Sequence, residues 1–174
     1  MGGSSKHNPV TNDMRGRMYD RVAKSVSQLD IEGIQLLAQT LPPFPWYLGG
    51  QRYCNLFVDP VETAQFSQST GIRLCLDVAH TKLSCNHLHL SFSEAIDGLR
   101  PFTDDLHPVA ATGVDGEGLQ IDEGEFDWPS LCSQLRLFPD NGTFRREIWQ
   151  GHSESGAGFW TAMERIERLM SLAE

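Results

Sequence analysis

Ile72-Arg73-Leu74-Cys75-Leu76-Asp77-Val78-Ala79-His80 is the stretch on which the fold turns. Its apolar run is that of a buried strand, and it stops abruptly at an Asp-x-x-His pair. Side chains alternate along a strand, so residues three apart face opposite sides for as long as the strand continues. Asp77 and His80 can converge on one ion only where the strand gives way to a loop. The carboxyl end of a parallel strand is also where barrel enzymes keep their chemistry.

Outward from this stretch the chain alternates helix and strand, with strand centres near Gln35, Cys75, His107 and Arg146. Met14, Met18, Val22, Val26 and Leu29 share one face of a helix expected over residues 13–29, and residues 34–38 form a short apolar strand. Asp59-Pro60-Val61-Glu62 sets an N-cap, a first-turn proline and a capping-box glutamate in order. Ser91-Phe92-Ser93-Glu94 repeats the box, Asp127 caps a third helix before Trp128-Pro129, and residues 155–172 bury Phe159, Met163, Ile166 and Met170. Four tandem βα units imply a parallel sheet with right-handed crossovers.

The chain has 174 residues, 40% of them hydrophobic and 21% charged, an ordinary composition for one globular domain. A closed eight-stranded barrel takes about 250 residues. The expected fold class is therefore α/β, a partial (β/α)8 barrel over residues 1–174 with a flexible lead-in at 1–12. Open sheet edges in such a half-barrel would invite association. Gly2-Gly3-Ser4-Ser5 reads as the tail of a lost strand or as a cloning remnant.

A net charge of −9 argues against a phosphate-binding surface, because nucleic-acid affinity rests on Lys and Arg. Cys54, Cys75, Cys85 and Cys132 are too scattered for a zinc ribbon or a redox pair, and Cys75 reads as a small hydrophobe. With no apolar run of about 18 residues and no signal-like start, a cytoplasmic protein with reduced thiols is expected. The Asn141-Gly142-Thr143 sequon is then incidental.

The candidate chemistry emerges when the strand ends are compared: Gln39 closes the first, Asp77 and His80 the second, His107 the third and Glu147 the fourth. Carboxylates with imidazoles suit Mn²⁺, Zn²⁺, Co²⁺ or Fe²⁺ better than Ca²⁺. Each residue alone has a plainer reading: Asp77 as a helix cap, His80 as a structural histidine, Glu147 as an ion-pair partner of Arg145 or Arg146. Their common placement favours a shared site. Cys85-Asn86-His87-Leu88-His89 matches no zinc spacing and reads as a polar loop before a helix. Pro42-Pro43-Phe44-Pro45-Trp46-Tyr47-Leu48-Gly49-Gly50 reads either as a lid against which a sugar could stack or as a plug on the barrel rim. Gly113-Val114-Asp115-Gly116-Glu117-Gly118 has the wrong spacing for a dinucleotide fingerprint and reads as a tight functional loop.

Leu74-Cys75-Leu76-Asp77-Val78-Ala79-His80, Leu106-His107, the Gly113–Gln120 run, Gly124-Glu125-Phe126-Asp127-Trp128 and Glu147-Ile148-Trp149-Gln150-Gly151-His152 together resemble the second half of a xylose-isomerase-like TIM barrel. This superfamily holds sugar-phosphate isomerases and epimerases and type IV apurinic endonucleases. Pro42-Pro43-Phe44-Pro45-Trp46 with Asp115-Gly116-Glu117-Gly118-Leu119-Gln120 further resembles barrels associated with sialic-acid-synthase-like proteins. The resemblance implies strands five to eight, a divalent metal (Mn²⁺, Zn²⁺, Co²⁺ or Mg²⁺) held by Asp77, His80, His107 and Glu147, and Glu147 as base. The substrate-side residues are then Gln39, Trp46, Asp115, Glu117 and Trp149.

One position departs from the pattern. The strand-five glutamate falls on Gln39, whose amide offers a weak neutral oxygen and cannot accept a proton. The first expectation is a metal-dependent sugar or sugar phosphate isomerase or epimerase, with reduced or no activity as a half-barrel. The second, favoured by Gln39, is a non-catalytic sugar-binding or scaffold domain partnering a missing N-terminal half-barrel or a sialic-acid-synthase-like protein. An endonuclease is disfavoured by the acidic balance.

Overall fold

The computed structural model describes residues 4–6, 8–46, 52–138, 143–145 and 147–172. Residues 47–50 of the aromatic segment, Gly2-Gly3, the Asn141-Gly142 pair and Arg146 lie outside them. The described elements run β1 (Ser4–Lys6), α1 (Asn12–Val26), β2 (Leu37–Gln39), β3 (Arg52–Cys54), α2 (Pro60–Thr70), β4 (Arg73–Asp77), α3 (Val78–Leu88), α4 (Phe92–Leu99), β5 (Thr103–His107), β6 (Ala110–Thr112), β7 (Gly116–Leu119), α5 (Trp128–Leu135), β8 (Thr143–Phe144) and α6 (Ser153–Leu172). β2, β4, β5 and β8 form a parallel sheet in that order, so each strand lies beside its predecessor in the βα series. Two antiparallel pairs, β1 with β3 and β6 with β7, stand outside it.

The helix starts follow their capping residues. Asp59 accepts hydrogen bonds from the N–H groups of Val61 and Glu62 at 2.8 and 3.3 Å, Ser91 from Glu94 at 3.3 Å and Asp127 from Ser130 at 3.3 Å. Gly71 ends α2 at φ 75°, a left-handed conformation that favours glycine. Helix α1 begins one residue earlier than its apolar pattern indicates because Thr11 takes the cap, and it stops at Val26, three residues short of the expected end. Met18, Val22 and Val26 are only half-buried, while Met14 and Leu29 are exposed. The helix is held instead by the Arg15–Glu62 ion pair at 2.7 Å and by Tyr19, whose hydroxyl accepts from the Phe57 N–H at 2.7 Å. In α6, Glu154, Ser155 and Gly156 all have positive φ, so regular helix starts only beyond them.

Two sequence expectations change here. No loop follows β4: Asp77 is the N-cap of α3, which begins at Val78. The Cys85–His89 cluster is not a loop either but the last turn of that helix, with His89 as its left-handed C-cap. The apolar and polar residues of one run explain both, since Val78, Ala79, Leu83 and Cys85 are all fully buried at helical spacing.

Strand β4 carries the core on one face. Leu74 and Leu76, both fully buried, pack with Val78, Leu83, Ile96, Leu99 and Leu131, whereas Cys75 and Asp77 fall on the opposite face. Between β4 and β5 the register shifts. Leu74 pairs with Thr103 but Cys75 pairs with Asp105, so Asp104 is an extra residue and Asp77 comes to lie beside His107. Asp104 turns outward to Arg73, at 2.7 Å. Replacing Leu76→Ala is expected to cost about 2–5 kcal/mol of unfolding free energy, and Asp59→Ala about 1 kcal/mol, read from urea denaturation followed by circular dichroism.

Candidate functional site

The carboxyl ends of the parallel strands bring Gln39, Asp77 and His107 together, and Glu147, three residues past β8, reaches the same place. Asp77 is 1% exposed and uses its two carboxylate oxygens differently. Oδ1 accepts the His80 backbone N–H at 2.9 Å, closing the cap of α3. Oδ2 lies 3.6 Å from His107 Nδ1. Thr40 braces the junction, its hydroxyl accepting from the Asp77 N–H at 2.9 Å. The helix-cap reading of Asp77 is thus realised on Oδ1, while Oδ2 is left facing His107.

His107 is 4% exposed, and its two ring nitrogens face different surroundings. Nδ1 looks toward Asp77, toward Glu147 Oε1 at 3.4 Å and toward Gln39 Nε2 at 3.3 Å. Nε2 looks inward, toward Cys75 Sγ at 3.3 Å and Asp105 Oδ2 at 3.4 Å. Donor atoms of Asp77, His107 and Glu147 lie within 4.8 Å of one another, the separation of ligands around one ion. Rotating the Gln39 amide by half a turn would present its oxygen to the same point. Cys75, Asp105 and His107 meet the same distance criterion. There, however, burial raises the Cys75 thiol pKa, and Asp105 is already bonded by the Thr143 hydroxyl with Arg145 at 3.7 Å. That second group reads as the support that orients the ring.

Burial lowers the imidazolium pKa of His107, but hydrogen bonds to Asp77, Cys75 and Glu147 outweigh it and push it up to about 12. The ring therefore holds its second proton far above the pH at which a free imidazole gives it up. His80 shows the same balance: burial works against its charge, while Asp77, Glu117 and the Thr40 carbonyl raise its pKa.

His80 borders this donor group, its Nδ1 3.5 Å from Asp77 Oδ2, but its hydrogen bonds go elsewhere. Its Nδ1 donates to the Thr40 carbonyl at 2.8 Å, and its Nε2 lies 3.1 Å from Glu117 Oε2 on the β6–β7 hairpin. The other Glu117 oxygen accepts the Trp46 backbone N–H at 3.1 Å. Trp46 and Trp149 meet edge to face with centroids 4.3 Å apart, and both rings are at least half exposed. Gly118 permits this closure, since at φ 76° its backbone approaches Trp149 so closely that a Cβ would sit 3.2 Å from that residue's own Cβ. Gln39, Asp77, His80, Glu117, Glu147 and the two tryptophans all line one cavity of about 600 Å³. Asp115 does not, because it occupies the exposed turn of the hairpin.

Thr40, Cys75 and Asp105 were not anticipated as site residues. Asp105 had a signal, since it precedes His107 by two on a strand and so shares its face. Cys75 stands in the same relation to Asp77, yet its apolar neighbours disguise it. His87 and His89 take no part in the donor groups found among the described residues, and the His87 ring packs on Phe44 at 5.2 Å.

No family model and no curated protein sequence matches the chain. Solved structures do. The chain superposes over 99% of its length on 59% of an L-ribulose 3-epimerase, with TM-score 0.67 and 16% identity. It covers 62% of a D-tagatose 3-epimerase-like protein using 98% of its own length, with TM-score 0.69 and 14% identity. It also covers 55% of a xylose isomerase-like TIM barrel protein from Mycobacterium smegmatis in complex with magnesium, over 98% of its own length, with TM-score 0.58 and 14% identity. It spans less than two thirds of each of these chains, and at such identities the likeness is one of fold. The fold is that of the xylose-isomerase-like TIM barrels, over part of the barrel.

Proposed function

We propose that this chain corresponds to strands five to eight of a xylose-isomerase-like barrel and carries the metal centre of a sugar or sugar phosphate isomerase or epimerase. The observation that carries the reading is the meeting of Asp77, His107 and Glu147 within 4.8 Å at the carboxyl end of the sheet. The fit of a divalent ion is chemical as well as geometric: two carboxylate oxygens and one imidazole nitrogen suit Mn²⁺, Co²⁺, Zn²⁺ or Mg²⁺. Asp105 on the far nitrogen of His107 supplies the outer carboxylate that commonly orients a ligating imidazole. An ion held there would polarise a substrate carbonyl oxygen.

The chain's own residues do the rest. Glu147, half exposed to the cavity, is placed to take a proton from the carbon next to that carbonyl. Trp46 and Trp149 offer ring faces on which the apolar side of a sugar can stack. His80, held by Thr40 and Glu117, is assigned to the cavity wall beside the ion rather than to its ligand shell. Similar structures belong to sugar 3-epimerases, which supports a ketose as substrate. Because the chain spans 59% of the first of these, its activity alone is expected to be reduced.

One observation favours a second reading. Gln39 presents its amide to His107, where the family resemblance places a glutamate. A sugar-binding or scaffold domain without turnover would need no second carboxylate.

Calorimetry with Mn²⁺ and exchange-sensitive NMR on a panel of ketoses and aldoses separate the two. His107→Ala is expected to abolish metal binding, and Glu147→Gln to cut turnover by about 10²- to 10⁴-fold. Sugar binding with no turnover in the metal-loaded protein would favour the scaffold reading, and absence of metal binding would end the enzymatic one. The sign of the pH dependence follows from His107. Its pKa is raised from 6.5 to about 12, so its contribution to metal-free stability is full below 6.5 and lost as pH rises through about 12. An incoming ion must displace that proton. Metal binding is expected to release a proton and to strengthen as pH rises, measured by titration calorimetry in buffers of different ionisation enthalpy.

A further inference from the structure

A metal ligand is only as well placed as the groups that orient it. We propose that Thr40 is the positioning residue of the donor group: its hydroxyl replaces a missing rung between β2 and β4 and so fixes where Asp77 presents its carboxylate to the ion. This rests on the reading of Asp77, His107 and Glu147 as metal ligands.

The ladder between β2 and β4 is regular up to Gln39, which pairs with Cys75, and the Thr40 N–H donates to the Cys75 carbonyl at 3.1 Å. Continued in parallel, it would send the Asp77 N–H to the Thr40 carbonyl and bring the N–H of residue 42 to the Asp77 carbonyl. Neither bond forms. The Thr40 carbonyl accepts from His80 Nδ1 at 2.8 Å, and residue 42 is a proline, which has no N–H. Leu41 has already left the sheet, its N–H donating to the Phe57 carbonyl at 2.7 Å and its carbonyl accepting from the Ser84 hydroxyl at 3.1 Å. The main chain of Asp77, a residue 1% exposed, would then lack partners where water does not supply them. The Thr40 hydroxyl meets both groups, accepting the Asp77 N–H at 2.9 Å and donating to the Asp77 carbonyl at 3.2 Å.

One residue thereby holds three parts of the site. Its hydroxyl sets the main chain of Asp77, whose Oδ2 lies 3.6 Å from His107 Nδ1, and its carbonyl sets the ring of His80. Its neighbour Gln39 brings an amide to 3.3 Å from that same His107 nitrogen. The Thr81 hydroxyl also donates to the Asp77 carbonyl, at 2.8 Å, so the N–H is the group that depends on Thr40. Thr40 is itself buried. Without its hydroxyl the Asp77 peptide must turn toward another acceptor, and the carboxylate turns with it.

The test is Mn²⁺ titration calorimetry on Thr40→Val and Thr40→Ser, with thermal unfolding of each metal-free protein alongside. Valine keeps the shape of the side chain and loses the hydroxyl, and Mn²⁺ affinity is expected to fall about 10- to 100-fold. Serine keeps the hydroxyl and is expected to bind Mn²⁺ like the wild type. Thr63→Val makes the same exchange at a buried threonine of α2, whose hydroxyl donates to the Asp59 carbonyl at 2.8 Å. It is expected to lower thermal stability and leave Mn²⁺ affinity unchanged. Wild-type affinity in Thr40→Val would overturn the assignment while leaving the metal-centre reading intact. An equal loss of affinity in Thr40→Ser, or in Thr63→Val, would reduce Thr40 to a structural tie and overturn it too. If Thr40→Val does not fold, Thr40→Ala, which sets no methyl group against the Asp77 N–H, is judged by the same outcomes. A wild type that binds no Mn²⁺ would remove the metal-centre reading and this inference with it.

Discussion

A buried carboxylate organises the carboxyl end of this sheet. Asp77 is 1% exposed, and an ionised side chain so far from water costs several kcal/mol unless its oxygens are satisfied. The structure meets that cost from two directions. Oδ1 takes a backbone N–H in the first turn of α3, where the helix dipole favours negative charge, and Oδ2 faces the imidazoles of His80 and His107. The same residue thereby ends β4, starts α3, and sets the place to which His107 and Glu147 come. Remove the charge and strand end, helix start and donor group all lose a common partner.

Much of this was legible in the sequence because it depends on short spacings. The caps at Asp59, Ser91 and Asp127 are local chemistry, and so is the alternation that separates Leu74 and Leu76 from Asp77. The convergence of Asp77, His107 and Glu147 followed from a topological rule, that parallel strands present their ends on one side. What stayed hidden depends on contacts far apart in the chain or on neighbours that mislead. The Asp-x-x-His spacing suits a metal loop and also suits an N-cap with its third helical residue; only the buried apolar run after Asp77 decides for the helix. His80 finds Glu117, a partner 37 residues away that no local pattern announces. Asp115 and Glu117 are separated by one residue of the same hairpin, yet one lies on the exposed turn and the other lines the cavity.

The electrostatic character of the cavity follows from the same residues. Asp77, Asp105 and Glu147 surround one histidine, and Asp77 and Glu117 hold the other. The acidic surroundings raise the pKa of both imidazoles despite their burial. Such surroundings favour positive charge, which both rings carry as a bound proton over a wider pH range than a free imidazole would. The hydrogen bond between Glu117 and Trp46 links that charged floor to the aromatic wall, so the acidic and stacking parts of the cavity are one mechanical unit.

The extra residue Asp104 in β5 has a wider consequence. Up to Leu74 the two strands run with Thr103 alongside, and continuing that pairing would set Leu106 against Asp77. The bulge advances β5 by one step, so that a histidine rather than a leucine arrives there and Leu106 goes to the core side. It acts as a phase element: below it the sheet is tuned to packing, above it to chemistry, and the outward-turned Asp104 clamped by Arg73 fixes where one gives way to the other. The bulge therefore matters as much as the identity of the residues, since the same sequence paired without it would set Leu106 beside Asp77 and carry His107 one step past the end of β4.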